Sequence, residues 1–143
     1  MLKTIPPVLT PDLLWALAAM GHGDTLAVGD ANYPAHALHG RVLPLAGVGI
    51  DEAITAIGAL LPVDRAVEPA VFAMAPDGDP GAAVGAHASF GQALATTEGR
   101  EVDVAPLERT AFYQQARGAF AVVLTGDTRS YACFLVTKGV VAG

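Results

Sequence analysis

Side chains that transfer protons or bind metals are concentrated in one short segment, MGHGDTLAVGDANYPAH (residues 20–36). It contains two His, two Asp, an Asn and a Tyr, in a chain of which only 15% of the residues are charged. These residue types could form a metal site, an acid–base site, or only the polar end of a buried strand. Spacing and the elements that carry the side chains must decide between these interpretations.

A zinc site would use His22, His36 and His39, with an Asp as a further ligand. Imidazole and carboxylate are ordinary zinc ligands, and a catalytic zinc takes three protein ligands. His36 and His39, however, lie in a segment rich in Pro and Gly, and they lack the i, i+4 spacing that places two His on one helix face. The pattern therefore disfavours a metal, and we predict no metal ligands.

Two other chemistries lack their motifs. The phosphate-binding pattern G-x-x-x-x-G-K-[ST] and the nucleophile elbow G-x-S-x-G are both absent. The single cysteine, Cys133, belongs to the apolar run YACFLVT, which predicts a strand in which a thiol would be inert. Nucleotide binding and nucleophilic catalysis are thus disfavoured, and acid–base chemistry remains.

His22 and Asp30 are the residues best placed for acid–base chemistry. His22 lies between two glycines directly after a predicted helix, and an imidazole can both accept and donate a proton near neutral pH. Asp30 follows a predicted buried strand, where α/β proteins commonly bind ligands, and it could hold ligand hydroxyls or orient a base. Spacing alone equally allows a solvent-facing loop His and an Asp that begins an Asx turn.

Alternating helices and strands must position these side chains. A capping Thr10, a first-turn Pro11 and an apolar stripe predict a first helix that ends near Gly21. Pro44 confines the second strand to a sheet edge or a strand end. Helices are further predicted over 51–62, 86–97 and 108–118, and strands over 25–29, 41–45, 70–74, 102–104, 120–124 and 131–137. This interleaving predicts a layered α/β domain.

Composition restricts the partners. The 143 residues fit one domain, 1–143, that can bury a core of its own. Hydrophobic residues make up 52%, but the apolar runs are shorter than the roughly 18 residues of a membrane span, so we expect a homo-oligomer that covers the excess apolar surface. The net charge of −6, with scattered Lys and Arg, predicts no nucleic acid and no membrane as partner. The start, MLKTIPPVLT, lacks the apolar core of a secretory signal, which predicts the cytoplasm.

Three segments resemble one known family: MLKTIPP, TPDLLWALAAMGHGDTLAVGDANYPAH and RTAFYQQARGAFAVVLTGDTRSYACFLVTKGV. They are similar to L-fucose mutarotase and its relative D-ribose pyranase over nearly the whole chain, most weakly between residues 76 and 100, and NYPAH resembles the fucose branch. The resemblance implies a single α/β/α domain with a central mixed β-sheet. It also implies an isomerase without cofactor, a mutarotase that interconverts the α and β anomers of a free monosaccharide such as L-fucose.

The resemblance also implies site residues. His22 in GHGD matches the proton-transferring residue, with Tyr131 or a bound water as its catalytic partner. His36, His39 and Asp24 are then expected to have structural roles. Substrate-binding positions fall on Asp30, Arg109, Asp64, Tyr113, Tyr131, Ala132 and Cys133, of which Asp64 and Tyr113 match positions of the fucose branch.

One position departs from the family. Where this chain has Tyr131-Ala132-Cys133, the family carries Tyr-Gly-Asn or Tyr-Ala-Asn, and a thiol is only a weak donor and acceptor. The departure leaves the identity of the sugar open. It also keeps two alternatives, a D-ribose pyranase that interconverts pyranose and furanose rings, and a sugar-binding relative without turnover.

The spacing of His22 and Asp30 raises a geometric problem. Residues 22 to 30 would span up to about 26 Å if extended, too far for both side chains to reach one monosaccharide. Either the glycine-flanked loop folds back, or a neighbouring subunit completes the site. The resemblance favours the second, because it implies ring-like homo-oligomers, decamers among them, with sites near subunit contacts.

Overall fold

The computed structural model describes all residues, 1–143, and contains a six-stranded β-sheet with helices on both faces. None of the helices is both long and apolar enough to cross a membrane. The helices are α1 (Pro11–Ala19), α2 (Ala35–Leu38), α3 (Ile50–Gly58), α4 (Gly85–Glu98) and α5 (Arg109–Ala116). The strands are β1 (Thr25–Gly29), β2 (Val42–Leu45), β3 (Val71–Met74), β4 (Val104–Leu107), β5 (Ala121–Thr125) and β6 (Phe134–Thr137), and their order in the sheet is β2-β5-β1-β6-β3-β4.

One strand runs against all the others. β2, β5 and β1 are parallel, β3 is parallel to β4, and β6 lies antiparallel between β1 and β3. The start of β6 therefore lies beside the ends of β1 and β3. We call this side of the sheet the carboxyl edge and the opposite side, where β1 and β3 begin and β6 ends, the amino edge.

Side chains alternate along the central strands and so build an apolar core on each face of the sheet. Leu26 and Val28 of β1 join a core of 27 buried residues to which α1, α3 and α4 contribute. Ala27 of β1 joins a second core of 9 buried residues, with Phe112 of α5. The predicted α/β/α arrangement with a central mixed sheet is confirmed.

Local signals at the start of the chain are also confirmed. The Thr10 hydroxyl accepts a hydrogen bond from the Leu13 N–H at 3.3 Å and caps α1. β1 covers the predicted residues, Thr25–Gly29. Pro44 lies in β2, and β2 is an edge strand, where the missing N–H costs least.

The last predicted strand is too long. It was expected over 131–137, but β6 begins only at Phe134. Tyr131 has φ of +59°, in the left-handed region, which is incompatible with an extended strand. Cys133 therefore lies just before the strand rather than inside it, although it is buried.

Smaller differences concern element ends. The four-residue helix α2 occupies a segment predicted as loop, and it is too short to show helical periodicity. α3 begins at Ile50, one residue earlier than predicted, with Gly49 as its N-cap and Asp51 in its first turn. β4 lies at Val104–Leu107, about two residues later than predicted.

Candidate functional site

A cavity of about 490 Å³ lies at the carboxyl edge. This volume falls within the roughly 300–1,000 Å³ of typical small-molecule sites. The position also agrees with the rule that ligands of α/β sheets bind beyond the carboxyl ends of the strands. The cavity is lined by Asp30, Asn32, Tyr33, Met74, Asp77, Arg109, Tyr113, Ser130, Tyr131 and Cys133.

Asp30 directly follows β1 and is only 6% exposed. One carboxylate oxygen accepts a hydrogen bond from the Asn32 N–H at 2.9 Å, which makes the Asx turn that the sequence allowed. The other accepts from the Cys133 thiol at 3.4 Å. A buried carboxylate with one strong and one weak donor keeps accepting capacity for a ligand hydroxyl.

Tyr33 forms one wall of the cavity and packs directly on the end of β1. A Cβ at Gly29 would lie 2.6 Å from the Tyr33 ring, so only glycine allows this approach. Burial raises the pKa of Tyr33 above its usual value and lowers that of His39. The Tyr33 hydroxyl and the Nε2 of a neutral His39 share a hydrogen bond of 2.9 Å, which gives His39 a structural role.

Arg109 is the first residue of α5, and its side chain lines the cavity, where it forms an ion pair. The Glu108 side chain caps this helix by accepting from two N–H groups of its first turn. The Arg109 Nε donates to both carboxylate oxygens of Asp77, at 3.0 and 3.1 Å, and this contact raises the pKa of Arg109. Its guanidinium carbon lies 6.0 Å from the centre of the Tyr113 ring. The cavity thus contains a fixed cation with donors left for a ligand.

Tyr131 lies in the loop between β5 and β6, with a backbone that few side chains adopt. Its left-handed conformation costs about 1–3 kcal/mol and persists only where surrounding contacts enforce it. The hydroxyl accepts from the Asp77 N–H at 3.2 Å, and the backbone carbonyl accepts from the His87 Nε2 at 2.9 Å. Since the hydroxyl accepts from a backbone donor, its own proton is free to point into the cavity.

The same loop is anchored by a buried carboxylate. Asp127 accepts from the Ile50 N–H at the start of α3 and from the Arg129 guanidinium at 2.7 Å, and its carbonyl accepts from the Ala31 N–H. The contact with Arg129 holds the pKa of Asp127 well below its usual range. The loop that carries Tyr131 is therefore tied both to α3 and to the residue after Asp30.

Cys133 completes this side of the cavity, and Ala132 lies beneath it. Burial raises the pKa of the Cys133 thiol, which keeps it protonated at neutral pH. Ala132 is fully buried in the larger core and does not line the cavity.

His22 lies at the amino edge, away from the cavity. Its Nε2 is 3.1 Å from the carboxylate of Asp64, whose side chain is 5% exposed, while His22 itself is 51% exposed. Hydrogen bonds from the Ala66 N–H and from His22 lower the pKa of Asp64 and keep it charged. Because a carboxylate only accepts, a neutral His22 carries its hydrogen on Nε2 and its lone pair on Nδ1.

The loop around His22 is fixed in this position. The Asp24 carboxylate accepts from the Gly21 N–H at 2.7 Å, and the Gly23 N–H donates to the Lys138 carbonyl at the end of β6. Gly23 has φ of +87°, a conformation that glycine adopts without strain. The loop does not fold back towards Asp30, and the five residues of β1, about 16 Å of strand, separate the two regions.

An apolar groove of about 690 Å³ lies beside His22. It is lined by both chain ends and by α1, and several of its apolar side chains are exposed, with Val140 at 67% and Val141 at 75%. Contiguous exposed apolar surface of this kind marks interaction sites in soluble proteins.

The predicted residues thus divide into two groups. Asp30, Arg109, Tyr113, Tyr131 and Cys133 line one cavity at the carboxyl edge. His22 and Asp64 form a pair at the amino edge, so within one chain Asp64 lies beside His22 and not among the residues that line the cavity. His36 is exposed on α2 and His39 binds Tyr33, so the histidines considered for zinc are not grouped.

Several cavity residues carry no signal in the sequence. Asp77 lies in a Gly- and Pro-rich loop, and Ser130 and Met74 have no motif of their own. Asn32 and Tyr33 belong to the polar segment at the start of the chain, but nothing in their spacing singled them out. The sequence offers one indication for Asp77, which is that this acidic residue follows a predicted strand within a few positions.

Two comparisons of the sequence with known proteins agree with each other. The sequence model of the RbsD / FucU transport protein family matches residues 3–141. An L-fucose mutarotase of Histophilus somni is 40% identical over 141 residues, which cover 98% of this chain and 97% of that one.

Two solved structures share the fold closely. FucU from Bifidobacterium longum superimposes with a TM-score of 0.92 at 33% identity, covering 98% of this chain and 100% of that one. The fucose mutarotase from Streptococcus pneumoniae, solved in complex with L-fucose, superimposes with a TM-score of 0.87 at 35% identity, covering 99% of this chain and 100% of that one.

Proposed function

The chain belongs to the RbsD / FucU transport protein family, and on this basis we propose that it is a mutarotase acting on L-fucose or a closely related free monosaccharide. The observation that carries the proposal is the cavity at the carboxyl edge, where Asp30, Arg109 and Tyr131 converge. One domain, residues 1–143, would hold the whole fold, and the reaction would need no cofactor.

The cavity suits a polyhydroxylated ring. Asp30 and Asp77 offer carboxylate oxygens to sugar hydroxyls, and Arg109 offers guanidinium N–H groups. Such pairs orient a sugar without needing charge on the ligand. Anomer exchange then requires a base to take the proton of the anomeric hydroxyl and an acid to protonate the ring oxygen, after which the aldehyde rotates and the ring closes.

His22 is the proposed proton-transferring group. Asp64 orients its ring and leaves Nδ1 free to accept a proton, while Tyr131, with its hydroxyl proton unengaged by the backbone contact, is the proposed partner on the other side of the sugar. General acid–base catalysis of this kind contributes on the order of 100- to 10,000-fold in rate.

Since His22 lies at the opposite edge from Asp30, we propose a composite site. His22 and Asp64 of one subunit would approach the carboxyl-edge cavity of the next, and repetition of this head-to-tail contact would close a ring. The exposed apolar groove beside His22 supports the proposal, because burial of Val140 and Val141 between copies would stabilise such a contact. The decameric size implied by the family resemblance remains part of this proposal, as does the cytoplasmic location.

The activity is tested by saturation-transfer NMR, which measures exchange between anomers directly. We expect the protein to accelerate α/β exchange of L-fucose well above the rate in buffer. Acceleration of pyranose–furanose exchange of D-ribose without effect on L-fucose would identify a pyranase instead. Binding of sugars without accelerated exchange would identify a non-catalytic sugar-binding protein.

The composite site is tested by mixing two impaired variants, His22→Ala and Arg109→Ala, after dissociation and reassembly, and by measuring exchange at a sugar concentration well below the KM of Arg109→Ala. If neighbouring subunits share each site, about a quarter of the sites in a random mixture regain both wild-type residues, and exchange recovers to about that level. The unmixed variants, taken through the same dissociation, are the control. No recovery in assembled mixed oligomers would show that each chain completes its own site.

A further inference from the structure

Tyr131 is held from outside the cavity by His87, a residue that does not line it. The His87 Nε2 lies 2.9 Å from the Tyr131 carbonyl oxygen. This carbonyl belongs to the residue with φ of +59°, whose side chain reaches the cavity. We propose that His87 is a positioning residue that fixes Tyr131, and with it the position of the Tyr131 hydroxyl in the cavity.

The direction of the hydrogen bond follows from the partner. A carbonyl oxygen only accepts, so His87 carries a hydrogen on Nε2 and donates it. The bond spans 44 positions along the sequence and joins the first turn of α4 to the loop before β6. It therefore ties the loop to a different layer of the fold.

The imidazole ring is itself held by aromatic packing. The His87 ring meets Phe134, the first residue of β6, edge to face, with 5.6 Å between centroids. Phe134 stacks on Phe90, one turn further along α4. Both phenylalanines are fully buried, so the donor nitrogen of His87 has a fixed direction.

Tyr131 needs such support because its conformation is unfavourable for a residue with a side chain. Its hydroxyl accepts from the backbone of Asp77, in another loop, while the peptide after Tyr131 is held by the packing of Ala132 and by one hydrogen bond, that from His87. That peptide leads directly to Ala132 and Cys133. Loss of the His87 bond would allow it to rotate and would move the Tyr131 ring and the Cys133 thiol away from Asp30.

Two variants separate the hydrogen bond from the packing. His87→Phe keeps an aromatic ring against Phe134 and removes the donor, whereas His87→Gln keeps an amide N–H at the position of Nε2 and removes the ring. Gln92→Ala is the matched control, because Gln92 is exposed on the same helix and its side chain makes no hydrogen bond.

Because the inference rests on the proposed function, one readout is independent of turnover. The chain has 3 tyrosines, so ring ¹³C labelling gives few signals, and Tyr131→Phe identifies that of Tyr131. We expect His87→Phe to shift or broaden this signal and to lower exchange efficiency about 10- to 100-fold, with weaker sugar binding, while His87→Gln stays within about threefold of wild type.

Two results would overturn the positioning role. The first is a Tyr131 signal and an exchange rate in His87→Phe equal to those of wild type and of Gln92→Ala. The second is a loss in His87→Gln as large as in His87→Phe, which would assign the effect to ring packing. If wild type accelerates no sugar exchange, the proposed function fails, and the Tyr131 signal together with sugar affinity still decides the role of His87.

Discussion

The carboxyl edge and the amino edge of the sheet differ in what their polar groups can do. At the carboxyl edge, carboxylates, tyrosines and an arginine from several loops converge on a cavity of about 490 Å³. At the amino edge, the half-exposed His22 pairs with the buried Asp64 beside an apolar groove. The carboxyl edge offers groups for a polar ligand, and the amino edge carries the proposed base.

This division separates the residues that line the cavity from the proposed base, His22, while Tyr131 of the cavity is its proposed partner in proton transfer. The cavity residues are fixed by strand ends, where parallel strands deliver successive loops to one place. The His22–Asp64 pair depends instead on a glycine-flanked loop held by Asp24 and Lys138. Variants of the proposed base and of a carboxylate in the cavity should therefore affect different kinetic constants. Two predictions test this separation and a third tests the anchoring of the Tyr131 loop, from the largest expected effect to the smallest.

Replacement of His22 by Ala should lower the rate constant for anomer exchange at saturating sugar by about 100- to 10,000-fold, because the proposed base is lost. Sugar affinity should change little, since the cavity of Asp30 is intact. His36→Ala, which removes an exposed histidine of α2, is the control. Unchanged exchange in His22→Ala, measured by saturation-transfer NMR, would refute the role of the amino edge.

Replacement of Asp30 by Asn should act mainly on KM, raising it about 10- to 100-fold. The amide keeps an oxygen for the Asn32 N–H but loses a charged acceptor, and hydrogen bonds to charged groups contribute about 1.5–3 kcal/mol. Asp103→Asn, at an exposed position, is the control. A fall in the maximal rate with constant KM would contradict the separation of binding from proton transfer.

Replacement of Asp127 by Asn should lower the free energy of unfolding by about 1 kcal/mol at pH 7, because it removes the ion pair with the partly exposed Arg129. The folded-state pKa of Asp127 is depressed, so its contribution is present above the usual carboxyl pKa and is lost as the pH falls below about 4.

Urea unfolding of Asp127→Asn and of wild type at pH 7 and at pH 3 measures the difference in their free energies of unfolding. The gap in stability should narrow at low pH. A gap that stayed constant between pH 7 and pH 3 would show that the charge of Asp127 does not stabilise the loop of Tyr131.

The sequence predicted the fold where the signals were local. Thr10 and Pro11 marked the first helix, the apolar run 25–29 marked β1, and Pro44 marked an edge strand, because each rests on the chemistry of one or a few neighbouring residues. The geometric problem of bringing His22 and Asp30 to one sugar also followed from the number of residues between them alone.

The sequence did not predict what depends on contacts distant along the chain. YACFLVT has the composition of a strand, yet the contacts of Tyr131 with His87 and Asp77 accompany a left-handed residue at its start. Asp77 itself has no motif, and its place opposite Arg109 results from the pairing of β3 with β4 and β6. Tertiary structure, not local propensity, decided these cases.

The reversed strand β6 imposes a constraint on how this chain can evolve. Its first residues adjoin Cys133 and the cavity, and its end adjoins Lys138 and the His22 loop. A single inserted or deleted residue would turn Phe134 and Val136 to the opposite face and change the distance between the two edges by about 3.3 Å. Substitutions can accumulate in β6, but a change in its length would at once disrupt the packing of both cores and displace the functional groups at both edges of the sheet.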